Sequence, residues 1–264
     1  MPSYVVAGAS RGIGLEFVAQ LATKGNQVFA LARNPDKSKG LQELKSRPGV
    51  TLIQADITDP VALRAAAEQV SKATGGTLDV LINNGAYISK KHEFVQIDEF
   101  PSDQELIDDF KLSFETNVIG PVLTINAFLP LLRKGQVKKV LTLSTGVADA
   151  PTVLASEYAY SPAYCVSKTG LEMVSVKYAI KYKTEGFVFL TISPGVVATA
   201  EEPPSPEKLA RLQEMFAGIV KVAPHFKGPI QPSESVELML GVLDRTTVEQ
   251  SGAFLSHFGN RQWV

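Results

Sequence analysis

Tyr164 and Lys168 lie four residues apart in the segment Tyr164-Cys165-Val166-Ser167-Lys168. On a helix this spacing brings both side chains to one face. A phenol, with an ordinary pKa of about 10, is a poor proton donor or acceptor near neutral pH. An ammonium held beside it stabilises the phenolate and lowers that value. A shift of roughly three units would represent about 4 kcal/mol of differential interaction. The result would be a phenol able to protonate a developing alkoxide near neutral pH. Tyr-x-x-x-Lys alone also describes an ordinary surface pair whose lysine stem lies along the helix. The pair gains its meaning from the segments around it.

A second constellation stands near the amino-terminal end. The apolar run Tyr4-Val5-Val6-Ala7 leads into Gly8-Ala9-Ser10-Arg11-Gly12-Ile13-Gly14 and then into a helical pattern. Glycines at a strand-to-helix turn let the backbone approach a pyrophosphate, and a helix N-terminus favours an anion through its free N–H groups and dipole. The spacing is Gly-x-x-x-Gly-x-Gly rather than the commoner Gly-x-Gly-x-x-Gly. In NAD binders an acid about 20 residues on takes the ribose 2′-hydroxyl. Here the second strand ends at Ala32-Arg33, 19 residues past Gly14, and no acid stands there. Arg33, with Arg11 inside the loop, could instead grip a 2′-phosphate, which predicts NADP(H) as the cofactor. Ordinary surface charge is the other reading of the two arginines.

The elements that must position these groups follow a regular rhythm. Short apolar runs read as buried parallel strands at Tyr4 to Ala7, Gln27 to Leu31, Val50 to Ile53, Val80 to Ile82, Val137 to Leu143, Phe187 to Ile192 and Ala253 to Leu255. Amphipathic stretches separate them at Gly14 to Lys24, Pro60 to Ala73, Asp103 to Leu132, Ala163 to Lys183 and Pro232 to Leu243. Alternating strand and helix predicts an α/β domain over residues 1–264, doubly wound, with a parallel sheet of about seven strands and helices on both faces. Such sheets bind ligands at the carboxyl ends of their strands. One long irregular stretch, Val196 to Ser233, carries Glu201-Glu202-Pro203-Pro204 and a helical pattern from Pro206 to Val220. Because it follows a strand's carboxyl end, it is expected to cover substrate; a solvated excursion is the alternative.

Composition sets the outer bounds. The chain has 264 residues, 45% of them hydrophobic, and a formal net charge of -1 from 26 basic and 27 acidic side chains. Nothing in that balance suggests a nucleic-acid partner. The single cysteine, Cys165, excludes an internal disulfide and reads as a small buried helix residue. With no signal-peptide pattern, it points to a reducing, cytoplasmic setting. No run of 18 apolar residues occurs, so no membrane partner is expected. The histidines His92, His225 and His257 show no metal-ligand spacing and read as polar surface or loop residues, with His225 able to reach substrate from the covering segment. Glu93, Asp98 and Glu99 read as a solvated loop.

Taken together, these segments resemble the short-chain dehydrogenases/reductases over nearly the whole length. The resemblance rests on Gly8 to Gly14, Asp56-Ile57, Asn83-Asn84-Gly85-Ala86, Asn117-Val118-Ile119-Gly120, Ser144-Thr145-Gly146, Tyr164 to Lys168, and Pro194-Gly195-Val196-Val197, in that order. The ending Ser251 to Ser256 and the compact length look most like the cytosolic branch of C-factor-like and carbonyl-reductase-like proteins. The resemblance implies a Rossmann-type fold. It implies that Asp56 contacts adenine while Ile57 offers its backbone, and that Asn83, Asn84 and Gly85 support the adenosine ribose. Asn117 would kink its helix and hold a water in a proton relay. Lys168 would bind the nicotinamide ribose and tune Tyr164, the general acid of reduction. Pro194, Gly195 and Val197 would line the nicotinamide, and Thr199 would reach its carboxamide or the phosphates. Related proteins form dimers or tetramers through the two long central helices, so a homodimer or homotetramer is expected.

Departures from the family pattern concern substrate shape. The usual Ser-Ser pair is Ser144-Thr145, and register favours Thr145 as the substrate-orienting hydroxyl, with Ser144 the alternative. Thr145 and Tyr164 stand nineteen positions apart, an unusually long gap whose Tyr158 and Tyr160 are expected to shape the substrate wall. The expected function is NADPH-dependent reduction of a small-molecule ketone or aldehyde. Two alternatives stand beside it: isomerisation, cyclisation or C=C reduction of a biosynthetic intermediate, and non-catalytic NADP sensing.

Overall fold

A computed structural model describes residues 1–200 and 203–264; Glu201 and Glu202 of the acidic, proline-rich stretch lie outside the described residues. The strands are β1 (Ser3–Ala7), β2 (Gln27–Ala32), β3 (Val50–Gln54), β4 (Val80–Asn83), β5 (Lys139–Leu143), β6 (Val188–Ser193) and β7 (Phe254–Ser256). The helices are α1 (Gly12–Thr23), α2 (Lys39–Leu44), α3 (Pro60–Thr74), α4 (Asp103–Phe114), α5 (Gly120–Leu132), α6 (Ala150–Ser156), α7 (Pro162–Lys181), α8 (Pro206–Val222) and α9 (Pro232–Arg245). All seven strands pair in parallel in the order β3-β2-β1-β4-β5-β6-β7. Each expected strand is present, with ends moved by one or two residues.

Strand side chains alternate between two helical layers. Val5, Phe29, Leu81, Val140 and Phe189 pack on one face with Leu63 and Val70 of α3 and Ile125 and Phe128 of α5. Their neighbours Val6, Val28, Ala30, Ile82 and Leu190 face the other layer, against Phe17 and Leu21 of α1 and Met239 and Leu243 of α9. Burying each large side chain contributes roughly 1.5–3 kcal/mol, so the two layers fix the sheet firmly. The stretch Asp103–Leu132 is long and apolar enough to cross a membrane, yet more than half of its apolar window is buried inside the protein, as befits a core helix.

Two features place the site. Strand order reverses between β1 and β4, where Ala7 pairs with Asn83, so the glycine turn and the Asn84-Gly85 turn leave the sheet side by side. Further along, the long central helix is not uniform. Glu115–Ile119 forms a π turn between α4 and α5, which shifts the helix register at Asn117.

Two short helices were not anticipated. Ser38 caps α2 by accepting from the Leu41 amide, and Asp149 caps α6 by accepting from the Thr152 amide, with Pro151 in its first turn. The cap and proline signals are present in the sequence, but each helix is too short to show a period.

Candidate active site

The glycine turn is shaped by close backbone approach. Gly8 has φ +85°, and a Cβ there would sit 2.5 Å from the backbone nitrogen of Gly85. On Gly14, a Cβ would meet the Asn84 side-chain nitrogen at 2.5 Å. The Asn84 amide in turn donates to the Gly8 carbonyl at 2.7 Å. Helix α1 begins here with no side-chain cap and no acid in its first turn. Arg11 occupies the cap position, and both Arg11 and Arg33 are exposed. Ser10 offers its carbonyl to the Ser38 hydroxyl at 2.5 Å, tying α2 to the turn. Thr199 closes the other side, its methyl 3.3 Å from where a Gly12 Cβ would stand.

Around the β4 end the predicted residues divide. Ile57 packs its side chain against Gly85 and Gly120. Asp56 accepts from both the amide and the hydroxyl of Thr58, at 3.0 and 2.9 Å. The Asn83 side chain is buried and donates into the sheet to the Thr142 hydroxyl at 3.4 Å. Strand alternation turns Asn83 into the sheet, whereas Asn84 and Gly85 form the turn beside Gly8.

The catalytic candidates converge at the ends of β5 and α7. Ser161 starts α7 from a left-handed conformation, φ 53°, a strained placement costing on the order of 1–3 kcal/mol. Its hydroxyl donates to the Glu93 carbonyl at 2.5 Å, and Pro162 follows as the first helical residue. This entry sets the rotation of α7. Tyr164 then lines a cavity of about 810 Å³, while Lys168, one turn on, is buried and donates to the Leu143 carbonyl at 2.8 Å. The Lys168 ammonium lies 5.8 Å from the Tyr164 ring centroid. Asn117 is fully buried and fully engaged: its amide donates to the Tyr87 carbonyl (2.8 Å) and the Ser167 hydroxyl (2.9 Å), and its oxygen accepts from the Tyr87 amide (2.7 Å). Asn117 thus locks the π turn to the loop after β4 and to the helix that carries Tyr164.

The two hydroxyls at the end of β5 separate as strand geometry demands. Thr145 lines the cavity and faces the Tyr164 phenol. Ser144 turns away, buried, and donates to the Glu172 carboxylate at 3.1 Å. Of the two hydroxyls, only that of Thr145 lies on the cavity wall.

Electrostatics correct one expectation. Burial pushes the Tyr164 phenol above its ordinary pKa, with smaller contributions in the same direction from Cys165 and Tyr158; the Thr145 hydroxyl opposes them. Burial also lowers Lys168 to about 8, against the pull of Glu172. Desolvation is the largest cause of both shifts, since burial penalises the charged form of a phenol and of an amine alike. The phenol is held in its protonated form, which is the form a proton donor requires. Glu172 stands one turn beyond Lys168 on the same helix face, raised to about 7 by burial although the Ser144 hydroxyl lowers it.

Sequence reasoning missed several groups. Glu172 gave no signal beyond its spacing from Lys168. His257 is buried rather than on the surface, lowered to about 4 by burial, and packs beneath Gly195, whose Cβ would fall 2.7 Å from its ring. His92 is also buried, bonded to Glu105 at 2.8 Å. Only His225 is exposed, and it lines the cavity. Cys165 is half-buried, with burial raising its thiol to about 12.

The covering segment is rooted where Val197 pairs with Ile230 as a short parallel bridge. Pro194 is tied at the same place, its carbonyl accepting from the Ser235 hydroxyl at 2.7 Å. From there α8 spans the cavity and rests on α6 so closely that a Cβ on Gly218 would lie 2.5 Å from the Ser156 carbonyl. The long gap between Thr145 and Tyr164 is thus accounted for: it builds α6, the support of the covering helix. Tyr158 and Tyr160 line the cavity as expected, and the chain's final stretch adds Arg261 and Trp263.

Residues 3–209 match the sequence model of the short chain dehydrogenases. The chain belongs to this family. Full-length relatives agree: it is 40% identical to the short chain dehydrogenase virK of Hypocrea virens and 40% identical to the short-chain dehydrogenase/reductase AacuF of Aspergillus aculeatus, with 100% of each chain covered. Among solved structures it superposes on the NADPH-bound carbonyl reductase from chicken fatty liver with a TM-score of 0.80 at 28% identity, covering 98% of both chains. The carbonyl reductase Sniffer of D. melanogaster shares the fold, with a TM-score of 0.78 at 20% identity. As a short chain dehydrogenase the protein is an oxidoreductase.

Proposed function

We propose that the protein is an NADPH-dependent reductase that converts a ketone or aldehyde to an alcohol, with Tyr164 as proton donor. One observation carries this reading: the Tyr164 phenol and the Thr145 hydroxyl face each other on the wall of one cavity, with Lys168 buried behind them. The turn at Gly8, Gly12 and Gly14 fits a dinucleotide: Gly8 and Gly14 let it pack against Asn84 and Gly85, and it ends at the uncapped N-terminus of α1, whose free N–H groups favour a pyrophosphate. Arg11 and Arg33 would hold the 2′-phosphate, Pro194, Gly195 and Val197 would flank the nicotinamide, and Thr199 would close over the phosphates. When bound, the nicotinamide supplies the hydride. Thr145 and Tyr164 orient the carbonyl oxygen and meet its developing charge with two donors already in place. Tyr164 gives up its proton, and the Lys168 ammonium stabilises the phenolate that remains. Asn117 keeps the helix and loop in register so that the phenol can be reprotonated.

Purified protein should oxidise NADPH when offered a panel of ketones, quinones and aldehydes. Tight NADPH binding without oxidation by any of them would sink the reductase reading. Cofactor choice has its own test. Arg11→Ala with Arg33→Ala should weaken NADPH binding by roughly 10- to 100-fold, the scale of hydrogen bonds to a charged group, and leave NADH binding little changed. Equal losses for both cofactors would remove the 2′-phosphate role.

The acid-base pair predicts a pH profile. Lys168, at about 8, loses its ammonium as pH rises through that value, so the reduction rate should fall above it. Glu172, ionised above about 7, attracts that ammonium and raises the Lys168 pKa. Glu172→Gln removes the attraction, so the alkaline break in kcat should move to lower pH. An unmoved break would mean that Glu172 does not act on Lys168.

We further propose a cytoplasmic location and self-association through the long central helices. The single cysteine needs no oxidising compartment, and Phe114, Val166, Met173 and Ile180 are exposed on α4 and α7.

A further inference from the structure

The cavity above Tyr164 is large, about 810 Å³, and its walls come from segments far apart in the chain. Phe94 precedes α4, Tyr158 and Tyr160 lie between α6 and α7, and Leu212, Met215 and Ile219 belong to α8. Phe94 and Tyr158 each stand edge-on to Tyr160, with ring centroids 5.9 Å apart in both pairs. Aromatic clusters of this kind receive a further ring in the same edge or offset geometry. Across from them Trp263 is fixed by stacking on Phe254 at 4.3 Å and by donating its indole N–H to Asp149. The nicotinamide would take the part beside Gly195; the part lined by Phe94, Tyr158, Tyr160 and α8 remains, and a short aliphatic ketone would leave that wall uncovered.

Charge narrows the choice further. Among the described residues, every charged side chain lining this cavity already has an opposite partner. Glu93 holds Lys208 at 2.6 Å, Glu157 holds Lys221 at 2.5 Å, Glu214 holds Arg211 at 3.3 Å and Arg261 is paired with Asp149. Glu214 also accepts from the Tyr160 hydroxyl at 2.9 Å. The cations Lys208 and Arg211 lie over the rings of Phe94 and Tyr160, 5.9 Å from each centroid. The imidazole of His225 is engaged by the main-chain oxygen of Val264 at 2.8 Å. An ionised group entering this space would give up part of its hydration and meet no charge that is not already engaged.

We infer that the substrate is an uncharged carbonyl compound of at least two rings. Its ring system lies against Phe94, Tyr158, Tyr160 and α8, and its carbonyl reaches Tyr164 and Thr145. Keto acids and phosphorylated ketones are disfavoured on the same grounds. This inference rests on the reductase reading of the site.

Trp263 is the chain's only tryptophan, so its fluorescence reports occupancy of the cavity without turnover. The full-length protein with NADP⁺ would be titrated with α-tetralone, with its ring-carboxylated analogue and with cyclohexanone, and NADPH oxidation would be followed with the same three compounds. α-Tetralone should bind at least about tenfold more tightly than either of the others, the scale of an added buried ring or an unpaired charge. Glu93→Gln, which frees Lys208, and Glu214→Gln, which frees Arg211, should each narrow the discrimination against the carboxylate by roughly fivefold, the scale of a partly exposed ion pair. Carboxylate binding equal to or tighter than that of α-tetralone, or no response to α-tetralone at all, overturns the inference. Selective binding without NADPH oxidation would uphold the substrate class and remove the reductase reading. Oxidation driven equally well by the carboxylate would do the reverse.

Discussion

Tyr164→Phe should lower kcat for carbonyl reduction by roughly 10²- to 10⁴-fold, the range that a positioned general acid supplies. The substitution removes one hydroxyl from the cavity wall and keeps the ring. It leaves the Lys168 bond to Leu143 and the Asn117 bonds to Tyr87 and Ser167 in place. Thermal stability and NADPH affinity should therefore stay near wild type, which separates lost chemistry from lost structure. Burial keeps the phenol protonated and so available as the donor that the variant lacks. Thr145 can still orient a carbonyl, which sets the residual rate above that in water. Steady-state kinetics beside a thermal melt would check this. A variant that retains most of its kcat would remove Tyr164 from the proton path.

The second large effect concerns the glycine turn. Gly8→Ala should cost about 2–5 kcal/mol of stability. Part arises from the left-handed conformation at φ +85°, roughly 1–2 kcal/mol for an L side chain. The rest is overpacking, about 1–3 kcal/mol, because the atoms met are backbone of Gly85 and cannot swing aside. In a chain of this size that corresponds to a fall in Tm of roughly 5–15 °C. Cofactor binding should fall with it, since relieving the clash separates the β1 and β4 turns that meet at the sheet's switch point. A thermal melt and a fluorescence titration with NADPH would measure both. An alanine variant with unchanged Tm would show that the two turns do not pack as described.

The sequence by itself determined most of the frame. Strand and helix periods depend on residues within a few positions of each other, so all seven strands and the long helices were legible with ends off by one or two residues. The turn from Gly8 to Gly14 and the spacing of Tyr164 and Lys168 are equally local, and both landed at strand or helix ends as the doubly wound pattern requires. Short helices such as α6 lacked enough turns to show a period, although Asp149 and Pro151 mark its start.

What only the tertiary structure decided involves partners distant in sequence. Strand alternation said that one of Ser144 and Thr145 faces substrate. The packing of α7 separates the two, offering Glu172 to Ser144 and Tyr164 to Thr145. Burial reversed the expected direction of the Tyr164 pKa, because desolvation disfavours the phenolate. His257 looked like a surface residue until β7 and the Pro194-Gly195 turn closed over it. The neutral wall of the cavity depends on Glu93 meeting Lys208 and on Asp149 meeting Arg261, pairs more than a hundred residues apart. Periodicity carries no information about such pairings; the sheet order and the helices laid across it bring them together.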